Sequence, residues 1–136
     1  MIDITTTEAV FLLKILLSLF SGFLIGAERE SRGKDAGIST HTFVITGSMI
    51  FSFVSTLISP SQPIAAQIVT GIGFLGAGLI LKEGNRVKNL TTAASIWFAA
   101  AIGMCYGFGY YFMGLVCTLV SFVVPKIPHF KPQNSD

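Results

Sequence analysis

Charge is what this sequence has least of. Only 12% of its 136 residues are Asp, Glu, Lys or Arg, while 51% are hydrophobic. With a mean hydropathy of +0.71 the chain is too apolar for an ordinary soluble domain. The few charges are also clustered, with none from Ala36 to Leu81 and none from Asn89 to Pro125. Uncharged runs of that length call for lipid. Cysteine is nearly missing: Cys105 and Cys117 sit in apolar stretches without metal-ligand spacing, which reads as buried free thiols and says nothing about compartment. Histidine is equally sparse. His41 and His129 lie near the ends of apolar runs, with no nucleophile, base and oxyanion set around them, so the chain is not read as an enzyme. Met1 to Val10 holds Asp3 and Glu8 but no basic residue and no evident cleavage site, so the first apolar run is expected to stay as an anchor.

What is there is glycine and small residues set among large aliphatics. The stretch Gln67 to Leu81, QIVTGIGFLGAGLIL, is the clearest case. Gly71, Gly73 and Gly76 match the G-x-G-x-x-G dinucleotide fingerprint, which also needs a preceding strand and an acidic ribose partner about twenty residues on. No Asp or Glu occurs between Glu83 and Asp136, so a nucleotide site is not supported. Wound at 100° per residue, the run instead puts Ala66, Thr70, Gly73 and Ala77 in one stripe and Ile68, Ile72, Leu75 and Leu79 opposite. The expectation is small-xxx-small packing with the aliphatic ridge toward lipid and Gln67 pointing into the protein. Close helix packing and a backbone-lined pathway both remain open readings.

The whole chain reads as an all-α membrane protein, a polytopic bundle of about five transmembrane helices with small-residue packing faces. Spans are expected at about 10–27, 41–58, 64–81, 91–106 and 110–124, in a transmembrane domain of residues 1–124 followed by a cytoplasmic tail, 125–136. In the first span Ser18, Ser21 and Glu28 all fall within about 40° of Lys14, a polar stripe. Lys14 is either a functional intramembrane charge or a snorkelling one. Ser48, Ser52, Ser55 and Ser59 share a face of the second span, and Ser95, Ala99 and Gly103 form a small stripe on the fourth. Gly103, Gly107 and Gly109 mark where the long run after Leu90 is expected to break. Glu28 to Thr40 is read as a charged loop, either salt-bridged and solvated or able to hold a hard cation through its carboxylates. Lys82 to Lys88 is a second charged loop with a Gly84-Asn85 turn. This layout puts Arg29, Arg32, Lys34, Lys82, Arg86, Lys88, Lys126 and Lys131 on one side and only Lys14 near the other. The positive-inside rule then places the N-terminus outside and the C-terminus in the cytoplasm.

Four segments carry a resemblance: GAERE at Gly26 to Glu30, AGISTHT at Ala36 to Thr42, AAQIVTGIGFLGAG at Ala65 to Gly78, and LTTAAS at Leu90 to Ser95. In order and spacing they resemble the membrane domain of the MgtC/SapB family. The resemblance implies a bacterial inner-membrane protein linked to growth in low magnesium, with some members tied to survival inside macrophages and to restraint of the ATP synthase. It marks Arg29, Gly37, Thr40, Thr42, Gln67, Gly71, Gly73, Gly76, Gly78, Thr91 and Thr92 as motif residues. Ser39 departs from the usual arginine and Asn89 from the usual glycine. Many relatives continue into a soluble ACT-like domain, and functions that need that domain are not implied here.

Two functions are therefore expected. In the first, the chain carries or senses Mg2+, with Glu28, Glu30, His41 and Glu83 as an ion-handling cluster. In the second, it is a regulatory protein whose glycine faces dock onto a second copy, as a homodimer, or onto a larger membrane complex such as the ATP synthase. The lipid bilayer is its medium in both, and nucleic acid is not among the expected partners.

Overall fold

The computed structural model describes residues 4–84 and 86–127. The calls on Asn85, His129, Lys131 and the rest of the tail lie outside the described residues, as does the side chain of Glu83. Five α-helices form the described chain: α1 Ile4–Ser31, α2 Ile38–Ile58, α3 Pro63–Leu79, α4 Leu90–Gly107 and α5 Tyr111–Val123, with a 3-10 turn at Val124–Lys126. Three of them, Thr5–Ser31, Ile38–Ile58 and Leu90–Gly107, are long and apolar enough to cross a membrane. At 1.5 Å per residue α3 and α5 reach about 26 and 20 Å. A hairpin of β1 (Leu81–Glu83) and β2 (Arg86–Lys88) joins α3 to α4, pairing Lys82 with Val87 across the turn at Gly84.

The helix ends follow from local chemistry. Past α1, the Gly33 amide reaches the Glu30 carbonyl and the Lys34 amide reaches the Arg29 carbonyl, with Gly33 left-handed at φ +63. Past α4, the Gly109 amide reaches Tyr106 and the Tyr110 amide reaches Cys105, with Gly109 at φ +86. Both are Schellman stops, whose left-handed residue glycine occupies without a Cβ penalty. Of the three glycines expected to break the long run, Gly109 makes the turn, whereas Gly103 and Gly107 stay helical and admit α2. Asn89, at φ +63 ahead of α4, explains its own departure from glycine: the backbone there is left-handed, which asparagine tolerates.

The charged stretch from Glu28 does not begin as a loop. α1 runs on through Ser31, so Glu28, Arg29 and Glu30 are helical and the first two are buried.

The bundle is arranged for lipid. Outward from α1 point Leu12, Leu16, Phe20 and Phe23, all more than half exposed, while Lys14, Ser18, Ser21 and Glu28 of the polar stripe are buried. Inside, Ile25, Ile45, Met49, Ala99, Ile102 and Tyr106 form the apolar core. Beside it, Ser21, Tyr106 and Thr118 close a triangle of hydroxyls, at 2.8 Å from Ser21 to Tyr106, 3.2 Å from Tyr106 to Thr118 and 2.9 Å from Thr118 to Ser21. Ser48, Ser52 and Ser55 are buried as their shared face requires. α2 and α4 come close enough that a Cβ on Gly103 would meet the Ile45 carbonyl, and one on Gly107 would meet the Ser52 side chain.

The orientation of α3 corrects the expectation. Ala65, Ile68 and Gly76 are buried, and Ala65 and Ile68 pack against Ala100 of α4. The small stripe of Ala66, Thr70, Gly73 and Ala77 is exposed, and so is Gln67. Of the aliphatic ridge, Ile68 and Ile72 pack beside Ala100 of α4, a hollow that branched side chains fill, while Gly76 lies against Ala93 and Leu75 stays exposed.

Candidate functional site

Three of the four sequence motifs meet at the end of the bundle that carries the charged loop. Gly26 is approached by the backbone of Ile38 so closely that a Cβ would collide with it, which brings the last turns of α1 against the start of α2. Glu30 uses this proximity: its Oε1 accepts the Ile38 amide at 2.9 Å and caps α2, whose own N-cap residue, Gly37, has no side chain to do so. A Cβ on Gly37 would run into that carboxylate. Arg29, only 2% exposed, donates from Nη2 to the Thr92 hydroxyl at 2.6 Å and so ties α1 to the first turn of α4. Arg32 pairs with Glu28 at 3.4 Å and donates to the Pro125 carbonyl. Asn89 donates to Asp35 at 2.7 Å, which holds the loop against the hairpin.

His41 is fully buried. Its Nδ1 lies 3.0 Å from the Gly37 carbonyl and its Nε2 3.2 Å from the Ser95 hydroxyl. A carbonyl only accepts, so Nδ1 carries a proton; the single Ser95 proton serves either Nε2 or the Thr92 carbonyl, which lies 2.8 Å from the hydroxyl. Both nitrogens are engaged, so the imidazole ties α2 to α4 and ligates a cation only by giving up one of these bonds.

Of the residues expected to handle an ion, Glu28, Glu30 and His41 turn to different neighbours. Among the described residues no three His, Cys, Asp or Glu side chains stand together as a metal site. Glu28 is the exception in its own surroundings: it is 7% exposed and its Oε2 is buried without a hydrogen-bond partner. Thr42 packs against Gly22 and Thr92 receives Arg29, whereas Thr40 and Thr91 are exposed. Gly76 touches Ala93; Gly71, Gly73 and Gly78 have open space where a Cβ would stand. Gly71 and Gly47 of α2 both line a groove of about 520 Å³ between α2 and α3, together with Gln67.

Lys14 does not snorkel. Its side chain is 4% exposed, and Nζ donates to the carbonyls of Tyr106 (2.8 Å) and Gly107 (2.6 Å) at the end of α4, with the rings of Phe53 and Tyr111 at 5.2 and 5.4 Å. The C-terminal carbonyls of a helix carry partial negative charge, so the ammonium sits where a cation is stabilised. Tyr106 and Trp97 have no role in the reading of the sequence, and Arg32 and Lys34 enter it only as basic residues of the charged stretch. The single tryptophan was the available signal, because tryptophan favours the membrane interface.

A family model of the MgtC family matches residues 15–129. The chain belongs to the MgtC family. Among curated MgtC-family relatives, Protein MgtC of Salmonella typhimurium strain LT2 is 46% identical over 112 residues, covering 81% of this chain and 48% of that protein. The putative magnesium transporter YhiD of Escherichia coli K12 is 40% identical over 133 residues, covering 89% and 61%. Protein MgtC of Brucella abortus is 52% identical over 91 residues, covering 65% and 38%. The chain thus spans between about two fifths and three fifths of the length of these relatives. No solved structure matches it.

Proposed function

We propose that this chain serves magnesium homeostasis from the bacterial inner membrane as a regulatory docking protein, N-terminus outside and C-terminus cytoplasmic, rather than as a conduit for the ion. The name of one relative, the putative magnesium transporter YhiD of Escherichia coli K12, supports the magnesium link. The observation that carries the docking role is the outward face of α3: Ala66, Thr70, Gly73 and Ala77 turn away from the bundle, and the groove beside them is floored by Gly47 and Gly71. In lipid such a face has no hydrophobic reason to be small, and small residues are what let a second helix approach closely. The partner is a second copy or a larger membrane complex.

The bundle interior argues against a path for a divalent cation. The partners of the Lys14 ammonium among the described residues are carbonyls and rings, not a carboxylate. A divalent ion passing about 5 Å from it would meet a repulsion of about 7 kcal/mol at an effective dielectric constant of about 20. One observation favours a second reading, movement of a divalent cation by way of Glu28: its buried, unpartnered Oε2. The test separates the two. Gly73→Leu is expected to abolish cross-linking between a cysteine placed on α3 and its partner while leaving membrane insertion intact. Proteoliposomes are expected to show no magnesium flux above protein-free controls. Flux that falls in Glu28→Gln, with cross-linking unchanged by Gly73→Leu, would reverse the assignment.

A further inference from the structure

A cavity of about 620 Å³ opens between the end of α1, the first half of α4 and the end of α5. Its polar end is made by Arg29, Arg32 and Lys34, and among the described residues no acidic one lines it. Arg29 is the built part of this site. It is 2% exposed, Nη2 is committed to Thr92, and its Nε is buried with no hydrogen-bond partner. A buried guanidinium with an unsatisfied N–H is costly unless something anionic reaches it. Glu28 pairs with Arg32 and, with Asp35, also acts on Arg29, so three basic groups stand against two acids and the end keeps one positive charge in excess.

The remaining wall is apolar: Trp97, Phe98 and Val120 line it, and Trp97 and Val120 are 50% and 42% exposed on the surface that faces lipid. A free anion would use the basic end and gain nothing from this wall. A molecule with an anionic phosphate at one end and an acyl chain at the other uses both. Arginine matches phosphate with a planar fork of donors, and basic pockets between transmembrane helices are suited to anionic headgroups.

We propose that this cavity holds one anionic phospholipid of the bilayer, with its phosphate against Arg29 and Lys34 and its chain along Trp97 and Val120. A lipid seated there bridges α1, α4 and α5 at the end where the sequence motifs converge.

Trp97 is the single tryptophan of the chain and lines the cavity, so its fluorescence reports the site directly. The full chain is reconstituted into phosphatidylcholine vesicles containing increasing fractions of phosphatidylglycerol with brominated acyl chains, and in parallel brominated phosphatidylcholine. Brominated phosphatidylglycerol is expected to quench Trp97 at a clearly lower mole fraction. At about 1 kcal/mol per basic residue near the headgroup, Lys34→Gln should reduce that preference about fivefold, and Arg29→Gln at least as much. Lys34 is exposed, so its variant stays informative if Arg29→Gln fails to fold. Equal quenching by the two lipids, or a preference unchanged in Lys34→Gln, would overturn the proposal. Loss of the preference on adding millimolar inorganic phosphate would also overturn it, by showing a site for the free anion.

Discussion

The same substitution, glycine to alanine, is expected to act in opposite directions at Gly103 and Gly73. On α4, a Cβ at Gly103 would meet the Ile45 carbonyl oxygen and stand 2.8 Å from the Ser48 Cβ and 3.0 Å from the Ile45 carbonyl carbon. Carbon atoms pack best at about 3.5–4.0 Å, so α2 and α4 would have to part by roughly 1 Å. Two of the obstructing atoms are backbone and cannot rotate aside. Overpacking of this kind costs about 1–3 kcal/mol, and here it also loosens the seam that buries Ile45, Met49, Ala99 and Ile102. At Gly73 nothing lies within 4 Å of the added methyl. Alanine there removes a backbone-entropy penalty of at most about 1 kcal/mol. The two variants should therefore differ by about 1–4 kcal/mol, between roughly fivefold and several hundredfold in unfolding equilibrium. Gly76, with the Ala93 carbonyl at 3.6 Å, supplies an intermediate calibration that should be close to neutral. The measurement is equilibrium unfolding of the purified chain from dodecyl maltoside into sodium dodecyl sulfate, followed by far-ultraviolet circular dichroism. If Gly103→Ala unfolds at the wild-type midpoint, or Gly73→Ala loses as much stability as Gly103→Ala, the inferred approach of α2 to α4 and the outward turn of α3 are refuted.

Three further outcomes can be read in the same assay. Lys14→Met keeps most of the stem volume but removes the donor to the Tyr106 and Gly107 carbonyls; a loss of about 2–3 kcal/mol is expected, and a more stable variant would show that burying the charge costs more than its contacts return. Tyr106→Phe should cost only about 1 kcal/mol, because Ser21 and Thr118 remain bonded to each other, whereas Tyr106→Ala opens a cavity and should cost about 3–5 kcal/mol; equal losses would mean that the hydroxyl rather than the ring dominates. Glu30→Ala should lower stability by about 0.5–2 kcal/mol by uncapping α2, with Glu30→Gln recovering most of it; no change in Glu30→Ala would place the cap elsewhere.

The features legible in the sequence are those fixed within one helix. The stripe of Lys14, Ser18, Ser21 and Glu28 follows from 100° per residue whatever surrounds it, and all four side chains are buried. The serine face of α2 follows the same way. What α3 meets does not. Its sequence defines two faces, one small and one aliphatic, and in water the aliphatic face would turn inward. In lipid both faces are tolerable outside, so helix packing depends on the fit to a neighbour rather than on escape from solvent. That neighbour is α4, whose Ala100 receives Ile68 from some thirty residues away. The site shows the same division. Glu30 was legible as an acid near a helix end, but its role as the cap of α2 depends on Gly37 lacking a side chain and on Gly26 letting Ile38 approach. Lys14 was legible as a charge in a span; its partners, the carbonyls at a Schellman stop, lie 92 and 93 residues on and carry no side-chain signal at all. The glycines therefore carry two meanings in this chain, and only the packed structure separates them. Gly26, Gly103 and Gly107 are small because a neighbouring helix already occupies their space, while Gly71, Gly73 and Gly78 are small toward the bilayer, where the space is still open to a partner.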